Sequence, residues 1–123
     1  MGKHNWESIE LERMTAGISR RVIHSALQTT ARIYMEKDAV VPRHSHENEQ
    51  MSHLLEGRLR FEFDDESVEA APGDVIEIEP DRPHRVVALE DSVAMDVFAP
   101  VREDWVNGDD AYLRNPPDSE KRS

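Results

Sequence analysis

The chain has no cysteine. That excludes disulfide stapling, iron–sulfur clusters and thiolate zinc sites, and leaves imidazole and oxygen ligands for any metal. No apolar run approaches the roughly eighteen residues of a membrane-spanning helix, so no membrane partner is expected. The start, Met1-Gly2-Lys3-His4-Asn5-Trp6-Glu7, lacks the apolar stretch of a secretory signal, and the expected location is the cytoplasm. There is no glycine-rich phosphate loop and no Gly-x-Ser-x-Gly nucleophile turn. Positive charge is scarce: 15 basic against 26 acidic residues give a net charge of -11. Such a chain repels phosphate backbones, so nucleic acid is not an expected partner. It also repels small anionic substrates at long range, and local arginines must overcome that field to bind one.

With 123 residues, the length suits one domain with a single core. Leu59, Phe61 and Phe63 alternate with Arg58, Arg60 and Glu62, the pattern of a half-buried strand. Short strand-like runs recur at Val22-Ile23, Ala31 to Met35, Val75 to Ile78, Arg85 to Leu89 and Ser92 to Phe98. Turn signals such as Glu56-Gly57 and Pro72-Gly73-Asp74 separate them. Many short strands at this spacing predict an all-β sandwich or barrel. Residues 1–15 read as a lead-in or an added edge strand, 16–113 as the barrel, and 114–123 as a mobile, Pro-rich, charged tail.

The chemistry-bearing feature is His44-Ser45-His46, with Gln50 beyond it and His84 in a later segment. Side chains alternate along an extended strand, so residues 44, 46 and 50 share one face. His44, His46 and Gln50 are expected to converge from a single strand, with His84 supplied by a second. Pro42 interrupts the ladder ahead of it. Glu47 and Glu49 are out of phase and should face away. Three imidazoles and a neutral amide are a ligand set for one divalent metal, with Ni, Zn, Fe, Co and Mn all open. Neutral ligands leave the metal its full charge, which makes it a stronger electrophile than it would be beside a carboxylate. His4 lies in a loose start, His24 has no partner at ligand spacing and His53 is out of phase with Gln50, so each reads as an ordinary surface or core histidine.

A second constellation follows. Asp96 and Phe98 share one face of a strand whose other face carries Val93, Met95 and Val97. A buried carboxylate has a raised pKa, which suits proton transfer. Arg102 has the bidentate geometry to hold a carboxylate. Periodicity alone leaves both open, since Asp96 and Arg102 could equally face solvent.

Both blocks together resemble the cupin superfamily. The first has the His-x-His pair, an amide in place of the usual glutamate, and a closing Gly57. The second is Pro72-Gly73-Asp74, an apolar strand, a proline-containing loop and His84. Asp38 stands where such motifs often begin with glycine, and Ala88 stands in place of an asparagine after the last histidine. The resemblance implies a single-domain cupin, a double-stranded β-helix or jelly-roll barrel. The segment from Val86 to Trp105, with His44-Ser45-His46 and Glu49-Gln50, is further similar to the pectin-degradation cupins of the KdgF type. That family converts 4,5-unsaturated uronate monosaccharides, the products of pectin and alginate lyases, to linear 5-keto-4-deoxyuronate. By matching positions, the resemblance implies that His44, His46, Gln50 and His84 hold the metal and that Asp96, Phe98 and Arg102 line the substrate pocket.

The implied reaction is acid–base without net redox, on a small anionic sugar. The divalent metal would offset charge on the opening ring, and Asp96 would act as general acid or base at the C1 hydroxyl or at C4. Arg102 would orient the substrate carboxylate and Phe98 would pack on the ring. Arg60 could assist from a neighbouring strand, although its position suits a solvent-facing charge better. Alternatives are an Fe(II) cupin dioxygenase at the same site and a sugar-binding cupin without catalysis. The resemblance also implies a homodimer, with residues 1–15 as a candidate contact.

Overall fold

The computed structural model describes residues 1–114. Ten strands carry the fold: β1 Glu12–Thr15, β2 Ile18–His24, β3 Thr29–Met35, β4 Val40–His44, β5 Glu49–Glu56, β6 Leu59–Phe63, β7 Ser67–Ala70, β8 Val75–Ile78, β9 His84–Ala88 and β10 Ser92–Ala99. Two one-turn helices follow, α1 Glu103–Val106 and α2 Ala111–Arg114, and a 3-10 turn, Trp6–Ser8, precedes β1. The segment read as a mobile tail lies outside the described residues, apart from Arg114. Among the described residues no helix is long and apolar enough to cross a membrane.

The strands form a six-stranded sheet in the order β1-β2-β3-β10-β5-β8 and a four-stranded sheet in the order β4-β9-β6-β7. Every pairing is antiparallel. Alternation decides which side chains enter. Leu59 and Phe61 of β6, Val86 and Ala88 of β9, Ala94 and Phe98 of β10 and Leu54 of β5 all join one buried cluster fed by both sheets. Burying each large apolar side chain favours folding by roughly 1.5–3 kcal/mol. This cluster is the core of the all-β sandwich that the strand pattern predicts.

One end of the barrel is closed by the chain after β10. Trp105 of α1 and Leu113 of α2 are buried in the same cluster, and α2 packs on β1 and β4. Beneath them the Arg20 guanidinium meets Asp110 at 2.6 Å, with both side chains almost fully buried. Asp38 explains one departure from the expected motif. It has φ +74 and its N–H donates to the Ala88 carbonyl at 2.8 Å, a left-handed conformation that glycine adopts freely and aspartate tolerates.

Candidate metal centre

The strand carrying the first histidines ends earlier than its alternation suggests. β4 stops at His44, residues 45–48 cross from the four-stranded to the six-stranded sheet, and β5 begins at Glu49. The expectation of one continuous strand is therefore corrected. Pro42 offers no ladder N–H, and the β4–β9 register shifts between Val41 and His44. The crossing is pinned from two sides. Asn48 is buried and its Nδ2 donates to the Pro100 carbonyl at 2.5 Å. The His46 carbonyl accepts the Asp81 N–H at 2.8 Å.

The four expected ligands still converge. His44 and His84 oppose each other across the β4–β9 ladder, with ring centroids 4.3 Å apart. His46 lies 5.6 Å from His44 and 5.2 Å from His84 by the same measure. One ring nitrogen from each lies within 4.8 Å of the others. Each ring is oriented by a backbone carbonyl that meets its Nδ1: Pro42 for His44 at 2.8 Å, Asn48 for His46 at 3.1 Å and Arg82 for His84 at 2.8 Å. With Nδ1–H donating outward, each Nε2 carries a lone pair into the centre.

Two further observations fit a cation. Nε2 of His84 is buried without a partner among the described residues. Nε2 of His46 faces Oε1 of Gln50 at 3.0 Å, while the Gln50 amide N–H donates to Ser52 Oγ at 2.9 Å. A neutral His46 and that carbonyl oxygen then meet lone pair to lone pair. Such a contact becomes favourable when the two atoms share a cation or the ring takes up a second proton. Burial, followed by the charge of His84, lowers the His44 pKa to about 3. Burial and Arg102 lower that of His46 to about 4. His84 is lowered too, chiefly by burial. All three rings are neutral near pH 7, the form that binds metal. The donor set fits one divalent ion, and two neighbouring acids, Glu47 and Glu49, are exposed and stand apart from it.

Asp96 enters from β10. It pairs in register with Ser52, as Phe98 does with Gln50. Among the described residues only one of its oxygens finds a partner: the Ser52 hydroxyl donates to the carboxylate, and Oδ1 is closed off from solvent without one. Burial outweighs Ser52 and the Arg102 charge and pushes the pKa up to about 6. Phe98 is buried, with its ring edge-on to His46 at 5.6 Å. A cavity of about 60 Å³ has His44, Asp96, Phe98, Trp105 and Arg20 among its walls.

Two expected residues are placed differently. Arg102 stands at the centre, 4.8 Å over the Phe98 ring and 4.4 Å over Trp105, but it is 1% exposed. Its Nε and Nη2 donate to the two oxygens of Asp104 at 2.9 and 2.6 Å. The fork expected to hold a substrate carboxylate is thus already engaged, by the carboxylate two residues on, with Arg102 itself in the non-helical N-cap position of α1 at φ -71 and ψ 84. Arg60 is not in the site. It alternates with the inward Leu59 and Phe61, so it faces out, where its Nε donates to Glu62 at 2.7 Å. His24 lies apart from the cluster, with Nδ1 2.8 Å from Thr29 Oγ1.

Sequence reasoning did not single out Ser52, Asn48, Asp104 or Arg20. Ser52 had a signal, since it shares the strand phase of Gln50. Arg20 had a weaker one, in phase with Ile18 and Val22 on β2.

Comparison with known proteins agrees with this geometry. The profile described as a cupin domain matches residues 31–99. Among curated protein sequences none matches. The structure resembles KdgF from Halomonas sp., with TM-score 0.75 and 27% identity over 80% of this chain and 94% of that one. It is also similar to an RmlC-like cupin from Shewanella frigidimarina, with TM-score 0.78 and 25% identity over 83% of this chain and 93% of that one. A third similar structure, the polyketide cyclase RemF from Streptomyces resistomycificus, has TM-score 0.67 and 20% identity over 81% of this chain and 79% of that one, a likeness of fold alone.

Proposed function

The chain belongs to the cupin family, and from that premise we propose that it is a metal-dependent enzyme that opens 4,5-unsaturated uronate monosaccharides to linear 5-keto-4-deoxyuronate. The observation that carries this reading is the run His46–Gln50–Ser52–Asp96. It ties a metal ligand set to a buried carboxyl whose pKa lies near working pH. The likeness to KdgF supports the choice of substrate.

The reaction moves one proton. The C1 hydroxyl loses it, the C1–O5 bond breaks as C1 becomes a carbonyl, and C4 gains it as C5 becomes a ketone. A single group that takes the proton from O1 and returns it to C4 ends unchanged. Asp96 suits that role, because burial raises its pKa to about 6, where both forms are populated. Ser52 holds the carboxylate through a hydrogen bond, and Asp96 is among the residues that line the cavity. His44, His46, Gln50 and His84 would hold a divalent cation, which when bound offsets negative charge developing on the sugar oxygens. Phe98 gives the ring an apolar wall, and Arg102 adds positive charge behind it.

The test follows loss of the ultraviolet absorbance of an unsaturated uronate monomer under anaerobic conditions. Turnover that stops on chelation and returns with added Ni(II), Zn(II), Co(II) or Mn(II) supports the reading. Turnover indifferent to metal removal, or absent with every metal, overturns it. A need for oxygen would point to a cupin dioxygenase.

A further inference from the structure

The loop between β8 and β9 reaches two of the histidines through its backbone. Asp81 donates its N–H to the His46 carbonyl at 2.8 Å, and the Arg82 carbonyl meets Nδ1 of His84 at 2.8 Å. A tight turn allows both: the Arg82 N–H reaches the Glu79 carbonyl at 3.3 Å, and Asp81 has φ +64. A left-handed residue other than glycine persists where its surroundings hold it.

The Arg82 side chain supplies that hold. Its guanidinium lies 4.2 Å over the ring of Phe63, the last residue of β6. Its Nη2 donates to Asp65 at 3.0 Å and to Glu66 at 2.7 Å, both in the turn after β6, and its Nη1 donates to Glu79 at 3.3 Å. A single exposed ion pair contributes little. Arg82 differs because its side chain is only 25% exposed and joins two chain segments through one rigid fork. Phe63 is also the ladder partner of His84, with ring centroids 6.4 Å apart. The side chain therefore clamps the loop to the strand beside His84, while the main chain of the same residue orients the His84 ring. Without the guanidinium, Asp65, Glu66 and Glu79 lose the cation they share, and their mutual repulsion drives the loop away from the turn. We propose that Arg82 is a positioning residue of the metal centre, its side chain setting the carbonyl that fixes His84 and the neighbouring N–H that fixes the backbone of His46. This rests on the metal reading of the site and not on the choice of a uronate.

The test reads the metal and the ring rather than turnover. Affinities for Zn(II) and Co(II) are measured by competition with a chelator on the parent, Arg82→Gln, Arg82→Lys and Arg85→Gln. Arg85 is the control: it adjoins His84 but alternates with the inward His84 and Val86, it pairs with Glu62 at 2.6 Å, and its loss changes the net charge equally. Arg82→Gln is expected to bind metal about 10-fold more weakly and Arg82→Lys about threefold, with Arg85→Gln within about twofold of the parent. Nitrogen-15 NMR of the zinc-loaded protein gives the second reading. The Nδ1–H of His84 should exchange with solvent faster in Arg82→Gln, while that of His44, bonded to the Pro42 carbonyl, stays as in the parent. A general loss of stability would move both. Unchanged affinity in Arg82→Gln, an equal loss in Arg85→Gln, or the same change at His84 and His44 overturns the role of Arg82. If Arg82→Gln does not fold, Arg82→Lys decides on the same two readings. A parent that binds neither metal overturns the metal reading itself, a result distinct from all of these.

Discussion

Ser52 and Asp96 face each other across the β5–β10 ladder, and the Ser52 hydroxyl is donated to the carboxylate, opposing the effect of burial. Burial raises the Asp96 pKa and Ser52 lowers it, with burial the larger cause. Because Ser52 Oγ also accepts the Gln50 amide N–H, the same hydroxyl fixes which end of that amide turns to the histidines.

Removing this hydroxyl should move the pH profile. If Asp96 must be ionised to take a proton, kcat/KM falls as pH drops through its pKa of about 6. Ser52→Ala removes a hydrogen bond to the charged form, so the acidic limb should shift to higher pH. A profile from pH 4.5 to 9 checks it. An unmoved limb would detach Asp96 from the rate.

Asp96→Asn should separate chemistry from stability. Turnover is expected to fall by about 10² to 10⁴, with metal content unchanged. Stability should move the opposite way. Asp96 has a folded pKa raised from 3.8 to about 6, so the folded state binds more protons than the unfolded one between those values. The wild type therefore loses stability as pH rises through that window, by roughly 1–3 kcal/mol. The amide variant has no such loss. Urea denaturation at pH 4 and pH 7.5 should show it gaining on the wild type only at the higher pH.

Much of this site was readable in strand phase. Alternation placed Asp96 with Phe98, and set Glu47 and Glu49 apart from the histidines. The crossing at residues 45–48 was not readable, because a loop that returns every second side chain to one point imitates a strand. The engagement of Arg102 by Asp104 depends on the non-helical backbone of Arg102 at the start of α1, which leaves no periodic trace. Arg20 was missed for a different reason: its charge suggests a surface, and only the tertiary pairing with distant Asp110 makes its burial tolerable.

The neutral amide offers a graded test of metal chemistry. Gln50→Glu adds a negative ligand where Oε1 now faces Nε2 of His46 at 3.0 Å. Metal affinity should rise, since a carboxylate attracts a cation more strongly than an amide does. Turnover should fall several-fold, since the added charge weakens the metal as an electrophile. Competitive chelation and initial rates measured on the same preparation check both directions. Tighter metal with faster turnover would contradict the role given to the amide.

The closing glycine of the first block ties the fold to the site. Gly57 has φ +87, and a Cβ there would overlap the Asp91 carbonyl oxygen and Ser92 Oγ. Ser92 cannot simply retreat, because its Oγ accepts the Arg58 N–H at 3.1 Å and donates to the Glu90 carbonyl at 2.8 Å. It also opens β10, the strand that carries Asp96 and Phe98. Gly57→Ala combines a left-handed backbone with a backbone clash, so it should destabilise the fold by roughly 2–4 kcal/mol. Thermal unfolding should register a fall of about 5 to 15 °C. Gly73→Ala is the control: it shares a positive φ, at +97, but an added Cβ meets nothing within 4 Å. It should lose only the conformational part, about 1 kcal/mol. Equal losses at the two glycines would show that conformation alone, without the contact to Ser92, sets the cost.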